Sequence, residues 1–244
     1  MLEIKNLTKS YGSKEVLSNI NLSLPHGEIV GIFGENGAGK TTLMKCILNL
    51  IRFDGRVILD GKDVGNSVIE KLSFATCEHS FFPNLTASAH AEFYQEHFPK
   101  FSKKRFDSLM EFFSLPKNKA IKSFSQGQQN QFEVILALSQ GADYILMDEP
   151  FAANDIFNRE DFYKVLVGIL EENETVIIST HLIEEVSDII GRAILLKDGK
   201  IISDVYMDEL QEEGKTLVSY VKEAYHYHGD RVSRALKDLT ESEE

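Results

Sequence analysis

Residues Gly34-Glu35-Asn36-Gly37-Ala38-Gly39-Lys40-Thr41 constrain this chain more than any other stretch. They satisfy the pattern Gly-x-x-x-x-Gly-Lys-Ser/Thr. A run of β-formers, Ile29 to Phe33, leads into them, and a helical pattern, Thr42 to Leu48, follows. The glycines let the backbone curl into a nest whose N–H groups point inward at phosphate oxygens. The helix that follows adds the partial positive charge of its N-terminus. In such a loop Lys40 can reach the β- and γ-phosphates of a nucleoside triphosphate, and the Thr41 hydroxyl can ligate Mg²⁺. A glycine-rich turn without a ligand is the competing reading. The strand before and the helix after disfavour it.

The pattern around the loop predicts the fold. Residues 2–11, 15–24, 28–34 and 55–61 read as strands, with Pro25-His26-Gly27 as a turn. From about Lys40, helical stretches alternate with short apolar strands at 73–76, 144–149, 175–181 and 192–199. Such alternation predicts a mostly parallel sheet covered on both faces. No strand is convincing between residues 83 and 124, where two short amphipathic helices are expected. Eleven of the sixteen phenylalanines fall between Phe74 and Phe132, so this lobe either has an aromatic core or shows an aromatic surface to another protein. The expected class is therefore α/β: a P-loop NTPase core with a mostly parallel sheet, an N-terminal antiparallel β subdomain and a short helical subdomain. One domain is expected over residues 1–205, with the helical subdomain inserted at about 79–140. A charged, locally helical extension follows over 206–244.

Composition narrows the partners. With 43% hydrophobic and 26% charged residues in 244, the chain reads as an ordinary soluble globular protein. Its net charge of -12 argues against broad nucleic-acid binding or adhesion to anionic lipid, both of which need a basic face. Two cysteines, Cys46 and Cys77, form neither a disulfide framework nor a metal cluster, which fits a reducing compartment. No apolar run approaches the length of a membrane span, and the polar start MLEIKNLTKS does not read as a signal peptide. A cytoplasmic protein is expected, and one able to sit against a membrane protein.

A phosphate loop needs an acidic partner to hold the metal. Tyr144-Ile145-Leu146-Met147 is a buried-type strand ending in Asp148 and Glu149. In open α/β sheets ligands bind at the carboxyl ends of strands, where these acids stand. Asp148 suits Mg²⁺, and Glu149 suits polarising the attacking water. By itself an Asp-Glu after an apolar strand is more often a surface turn; the phosphate loop changes that reading.

With these residues in place the chain resembles the nucleotide-binding domain of ATP-binding cassette (ABC) proteins, over nearly its whole length. Six motifs stand in the family's order. Gly34 to Thr42 resemble the Walker A loop and Ile145 to Glu149 the Walker B strand with its catalytic glutamate. Tyr11 stands where the family stacks an aromatic ring on adenine; a plain strand-end tyrosine is the alternative. Phe124-Ser125-Gln126-Gly127-Gln128 falls where the LSGGQ signature belongs. Asp155 matches the D-loop aspartate, and His181 the switch histidine. The resemblance implies that His181 bonds the γ-phosphate and orients the water. It also implies that Ser125, Gly127 and Gln128 face the γ-phosphate held by a second subunit. On its own, Ser125 reads more readily as an ordinary helix cap than as a ligand. The other six histidines are expected to be structural.

The sequence departs from the family pattern in three places. Glu78 stands where a glutamine is usual, and is expected to offer an oxygen to Mg²⁺ or water; a solvated loop glutamate is the alternative. In the signature, Phe124 replaces the leucine and Gln126 the first glycine, and Gln126 is expected to crowd the backbone near the γ-phosphate. Ala153-Asn154 precede Asp155 where a leucine is common. Phe81 and Phe82, beside Glu78, belong either to the lobe's core or to a groove for a helix of a membrane subunit. The resemblance thus implies an ATP- and Mg²⁺-dependent ATPase, peripheral on the cytoplasmic face of the membrane, working with an integral membrane permease and a second ABC ATPase subunit, in export. A soluble cassette acting on nucleic acid or the ribosome, and a nucleotide-gated regulatory subunit with weak hydrolysis, are the rival readings.

Overall fold

The computed structural model describes residues 1–65, 68–150 and 156–225. The chain enters through β1 (Leu2–Tyr11) and β2 (Lys14–Leu24), an antiparallel pair, and continues into β3 (Ile29–Phe33). The phosphate loop joins β3 to helix α1 (Lys40–Ile47). β4 (Asp54–Leu59) then returns along β1, with the short β5 (Lys62–Asp63) at its edge, giving an antiparallel sheet ordered β2-β1-β4-β5.

The remaining strands build the second sheet. β6 (Leu72–Thr76) leads into three helices, α2 (Ala87–His97), α3 (Lys103–Phe112) and α4 (Gln126–Ser139). β7 (Tyr144–Asp148), α5 (Ile156–Ile169), β8 (Thr175–Ser179), α6 (Ile183–Val186) and β9 (Arg192–Lys197) follow. β10 (Lys200–Tyr206), α7 (Met207–Glu212) and α8 (Leu217–Ala224) complete the described chain. The strand order is β10-β9-β3-β8-β7-β6, and every pairing is parallel except the β9–β10 hairpin.

The strands' apolar runs reflect burial on two faces. Ile145 and Met147 of β7, Val176 and Ile178 of β8, and Ala193 and Leu195 of β9 point to the helical side. Tyr144 and Leu146, Ile177, and Ile194 and Leu196 point the other way, to a core shared with α1 and the antiparallel sheet. Full burial of each such side chain is worth about 1.5–3 kcal/mol, so the faces cannot be exchanged by a register slip. Tyr144 ties the two sheets: its hydroxyl donates to the Leu24 carbonyl (2.7 Å) and accepts from the Leu2 amide (2.9 Å).

The helices of the lobe begin where side chains can cap them. Thr86, Ser102 and Ser125 each accept a backbone N–H from their helix's first turn. Arg105 fastens the lobe to the rest: it donates to the carbonyls of Leu138 (2.9 Å) and Ile169 (2.8 Å) and pairs with Glu174 (2.7 Å). Phe106 and Phe132 are fully buried in the lobe, whereas Phe82 is 49% exposed. Phe81 is half-buried, packed edge-on to Phe132 with ring centroids 5.8 Å apart. The aromatic lobe is thus both core and surface, and the adjacent Phe81 and Phe82 divide between them.

Two strands stand outside the sequence expectation, β5 and β10. β10 carries Lys200, Ser203 and Asp204, and only Val205 among its residues is buried. Beyond it the chain packs onto the core. Leu210 and Leu217 are buried, and the Tyr225 hydroxyl donates to the Leu196 carbonyl at 2.8 Å.

Candidate functional site

Strand register assembles the site. Ile32 of β3 pairs with Ser179 of β8, Ser179 with Asp148 of β7, and Asp148 with Thr76 of β6. This row is the carboxyl edge of the parallel sheet, and the loops leaving it carry the phosphate loop, His181, Glu149 and Glu78. Residues far apart in sequence are brought to one edge because the strands that precede them are neighbours.

The phosphate loop is curled as its glycines allow. Gly37 (φ 84°) and Gly39 (φ 109°) are in the left-handed region, which side-chain-bearing residues adopt with difficulty. A Cβ on Gly39 would lie 2.8 Å from Leu17 Cδ2 and 3.1 Å from the Val16 carbonyl, so the loop is also pressed against β2. Lys40 is buried, and its Nζ donates to the carbonyls of Gly34 (2.8 Å) and Glu35 (3.3 Å). Beside the loop runs a groove of about 290 Å³ lined by Tyr11, Val16, Asn36, Gly37, Gly39, Lys40, Thr41, Thr42, Asp148 and Glu149. Ala38, the remaining loop residue, is buried, and its carbonyl accepts the Gly199 amide (3.3 Å). Tyr11 is half exposed at the groove, with Lys9 Nζ 4.6 Å from its ring centroid.

Two polar pairs stand at this groove, the second reaching from Glu149 on its lining to His181 in the adjoining cavity that Gly34 and Glu35 also line. Thr41 Oγ1 donates to Asp148 Oδ2 at 2.6 Å. The other oxygen of Asp148 accepts from the buried Ser179 hydroxyl, which fixes the carboxylate's orientation. A hydroxyl and a carboxylate oxygen facing each other are hard donors that fit Mg²⁺, which takes one or two protein oxygens and the phosphates of its substrate. Among the described residues no cluster of His, Cys, Asp and Glu forms a complete metal cage. In the second pair, Glu149 Oε2 lies 3.0 Å from His181 Nδ1. Glu149 has φ 48°, an unfavourable conformation for a residue with a side chain, and its amide is held by the Ser179 carbonyl at 2.9 Å. Ser179 of β8 thus anchors the Asp148 carboxylate and the Glu149 backbone.

Other expected residues lie elsewhere. Ser125, Gly127 and Gln128 are not in the groove; they form the first turn of α4, where Ser125 and Gln128 make a reciprocal capping box. The Glu78 carboxylate is paired with Lys45 of α1 (2.7 Å) rather than with Thr41 or Asp148. Its neighbour Cys77 instead lines a small cleft with Glu149, and burial, followed by the charge of Asp148, raises its thiol pKa. The Gln126 side-chain amide folds back onto His79 (2.9 Å) and Asn130 (3.3 Å) within the same chain. Asp155 and the preceding Ala153-Asn154 lie outside the described residues. Ser179, Val16 and Lys45 belong to the site and carry no motif. Ser179 could have been found only by pairing β8 with β7.

Known proteins share this chain's sequence pattern and fold. The family profile described as "ABC transporter" matches residues 17–152. The chain is 30% identical, over 92% of its length and 98% of the relative's, to the lipopolysaccharide export system ATP-binding protein LptB of Haemophilus influenzae. It is 29% identical to the bacitracin transport ATP-binding protein BcrA of Enterococcus faecalis, over 93% of this chain and 79% of that one. Among solved structures, a dimeric post-hydrolysis state of the ATP-binding cassette MJ0796 with ADP and phosphate superposes with a TM-score of 0.75. That match has 27% identity and covers 85% of this chain and 99% of the other. Among the described residues no helix is long and apolar enough to cross a membrane.

Proposed function

This chain belongs to the ABC transporter family as one of its ATP-binding ATPases, and we propose that it works as one of two cassettes that drive export through a separate membrane permease. The observation that carries the proposal is the pairing of Thr41 with Asp148 in the groove beside the phosphate loop, and of Glu149 on that groove's lining with His181 from the adjoining cavity.

The loop amides from Asn36 to Thr42 bind the phosphates of ATP, and Tyr11 offers its face to adenine. Lys40 exchanges the carbonyls of Gly34 and Glu35 for phosphate oxygens. Thr41 and Asp148 would hold Mg²⁺, which when bound neutralises charge on the β- and γ-phosphates. Glu149 accepts a proton from the attacking water, and His181, bonded to Glu149, holds the γ-phosphate side of that water in line. Catalysis on this reading is positioning and charge stabilisation.

The first turn of α4 supports a role in a second subunit's site. Ser125, Gly127 and Gln128 present a helix N-terminus, a natural partner for a γ-phosphate, yet do not line this chain's own groove. Two copies, or a copy and a homologous subunit, would each complete the other's site, with Asp155 as the D-loop residue between them. Glu78 would reach the metal only by leaving Lys45. The exposed Phe82, beside Leu85, offers an apolar contact for the permease on the cytoplasmic side of the membrane. Export is supported by LptB and BcrA, whose names describe lipopolysaccharide export and bacitracin transport. The net charge of -12 disfavours nucleic acid as a partner.

ATP turnover by the purified chain, with and without Mg²⁺ and with Glu149→Gln, tests the enzyme. Isolation of the tagged chain from membranes tests the partner. Turnover that survives Glu149→Gln, or a chain recovered from membranes without any integral protein, would refute the corresponding half.

A further inference from the structure

The loop after β6 is fastened to α4 by a row of polar side chains that no ATP-binding motif includes. Gln126, Asn130 and Glu133 recur at the spacing that places residues on one face of a helix. Gln126 Nε2 donates to His79 Nε2 (2.9 Å) and to Asn130 Oδ1 (3.3 Å). Two turns along the helix, Glu133 Oε1 accepts from the Ser80 amide (2.9 Å) and from the Ser80 hydroxyl (2.5 Å). Between these contacts, Phe81 of the loop packs on Phe132 of the helix.

Glu133 is the unusual member. It is 1% exposed, and its second oxygen, Oε2, is buried without a hydrogen bond. Its donors come from the loop: the amide and hydroxyl of Ser80, and the Phe81 backbone. Sliding the loop across the helix would strip a buried carboxyl of these loop partners, a far larger cost than the loss of a surface hydrogen bond. His79 is held in an equally particular way. Its φ of 58° is in the left-handed region, and Gln126 engages its ring. The residue that replaces a small glycine at the start of α4 therefore has a partner within the same chain.

We propose that Gln126, Asn130 and Glu133 are positioning residues that latch the loop 77–82 onto α4, so that the loop and the Ser125–Gly127 end of the helix move as one piece. The loop begins beside Asp148 and Glu149 and carries Glu78 and Phe82. The latch thereby joins three places: the edge of the nucleotide groove, the exposed aromatic surface, and the helix end that serves a second subunit. This inference rests on the proposed role of Ser125 and Gly127 and supplies the element that sets their position.

Two measurements on the full chain test it. Hydrogen exchange in the nucleotide-free protein reads the latch alone. Glu133→Ala should speed exchange at the Ser80 amide by roughly tenfold or more while β7 and α1 keep their protection, and Glu133→Gln, which retains an acceptor oxygen, should restore most of it. Unchanged exchange at Ser80 overturns the latch. Steady-state kinetics reads its consequence. Glu133→Ala and Gln126→Ala should each lower kcat by roughly tenfold with Mg-ATP affinity within about twofold, their combination losing less than the product of the two, with rescue by Glu133→Gln. Wild-type kcat in these variants, or a loss shared equally between affinity and turnover, overturns it. The exchange measurement needs no hydrolysis, so a wild-type chain inactive on ATP would count against the proposed function alone.

Discussion

Replacing Glu133 by Gln removes a carboxyl that the fold prefers to keep protonated, and the consequence can be worked out against pH. Burial raises the Glu133 pKa from 4.5 to about 7, with its hydrogen bond from Ser80 opposing the rise. The folded state therefore binds the proton more tightly than the unfolded chain. That preference stabilises the protein fully below the unfolded pKa and is lost as pH rises through about 7. At 1.36 kcal/mol per pH unit, the loss between about pH 5 and about pH 8 amounts to about 2.5 kcal/mol. His79 and His90 act in the opposite sense, because burial lowers their pKa values and favours the neutral, high-pH form. The measured quantity is therefore the difference between wild type and Glu133→Gln, in which the histidines cancel. The chain has no tryptophan, so urea unfolding would be followed by far-ultraviolet circular dichroism. The variant should gain on the wild type by about 2.5 kcal/mol across that pH range. A difference that stays flat, or runs the other way, would refute the reading of Glu133 as a buried acid held by the loop residues Ser80 and Phe81.

Lys40→Ala should weaken ATP binding at least about a hundredfold, since a charge-assisted contact to phosphate is lost; unchanged affinity by calorimetry would remove the phosphate-loop assignment. Ser179→Ala should cost about 1–3 kcal/mol in unfolding and depress turnover, because one oxygen of the buried Asp148 loses its donor. Phe81→Ser should destabilise the chain by about 2–3 kcal/mol, whereas Phe82→Ser should change stability by no more than about 1 kcal/mol and loosen the permease in detergent extracts. Equal effects on folding would mean that the two rings do not divide between core and surface.

The parts of the site that sequence makes visible are those in which one short segment carries the whole requirement. Gly34 to Thr41 needs only a strand before it and a helix after it, and Asp148 and His181 end apolar strands of recognisable length. Residues that work through pairing stay hidden. Ser179 closes an ordinary apolar strand, and its bond to Asp148 exists only because β8 lies beside β7. Glu78 was expected at the metal, but Lys45, in the last turn of α1, holds its carboxylate. Phe81 and Phe82 cannot be separated by periodicity, and packing on Phe132 decides which one is inside. The contact of Gln126 with His79 is hidden in the sequence, because the two are 47 residues apart and meet only through the fold. β10 escaped notice because its exposed positions are polar and its hairpin partner supplies most of the apolar contact. The alternating apolar faces of β7, β8 and β9, by contrast, were legible as strands at once, since burial on both sides leaves little room for polar residues.

The central claim is that Mg-ATP sits in the groove beside Lys40 and is sealed there by the α4 N-terminus of a second subunit. Sedimentation velocity of Glu149→Gln, which binds ATP without consuming it, addresses that claim directly. With saturating ATP and Mg²⁺ the variant should sediment as a dimer and return to monomer when either is withdrawn or when Ser125 is replaced by a bulky residue. A variant that binds ATP tightly yet remains a monomer would contradict the account of a site shared between two chains.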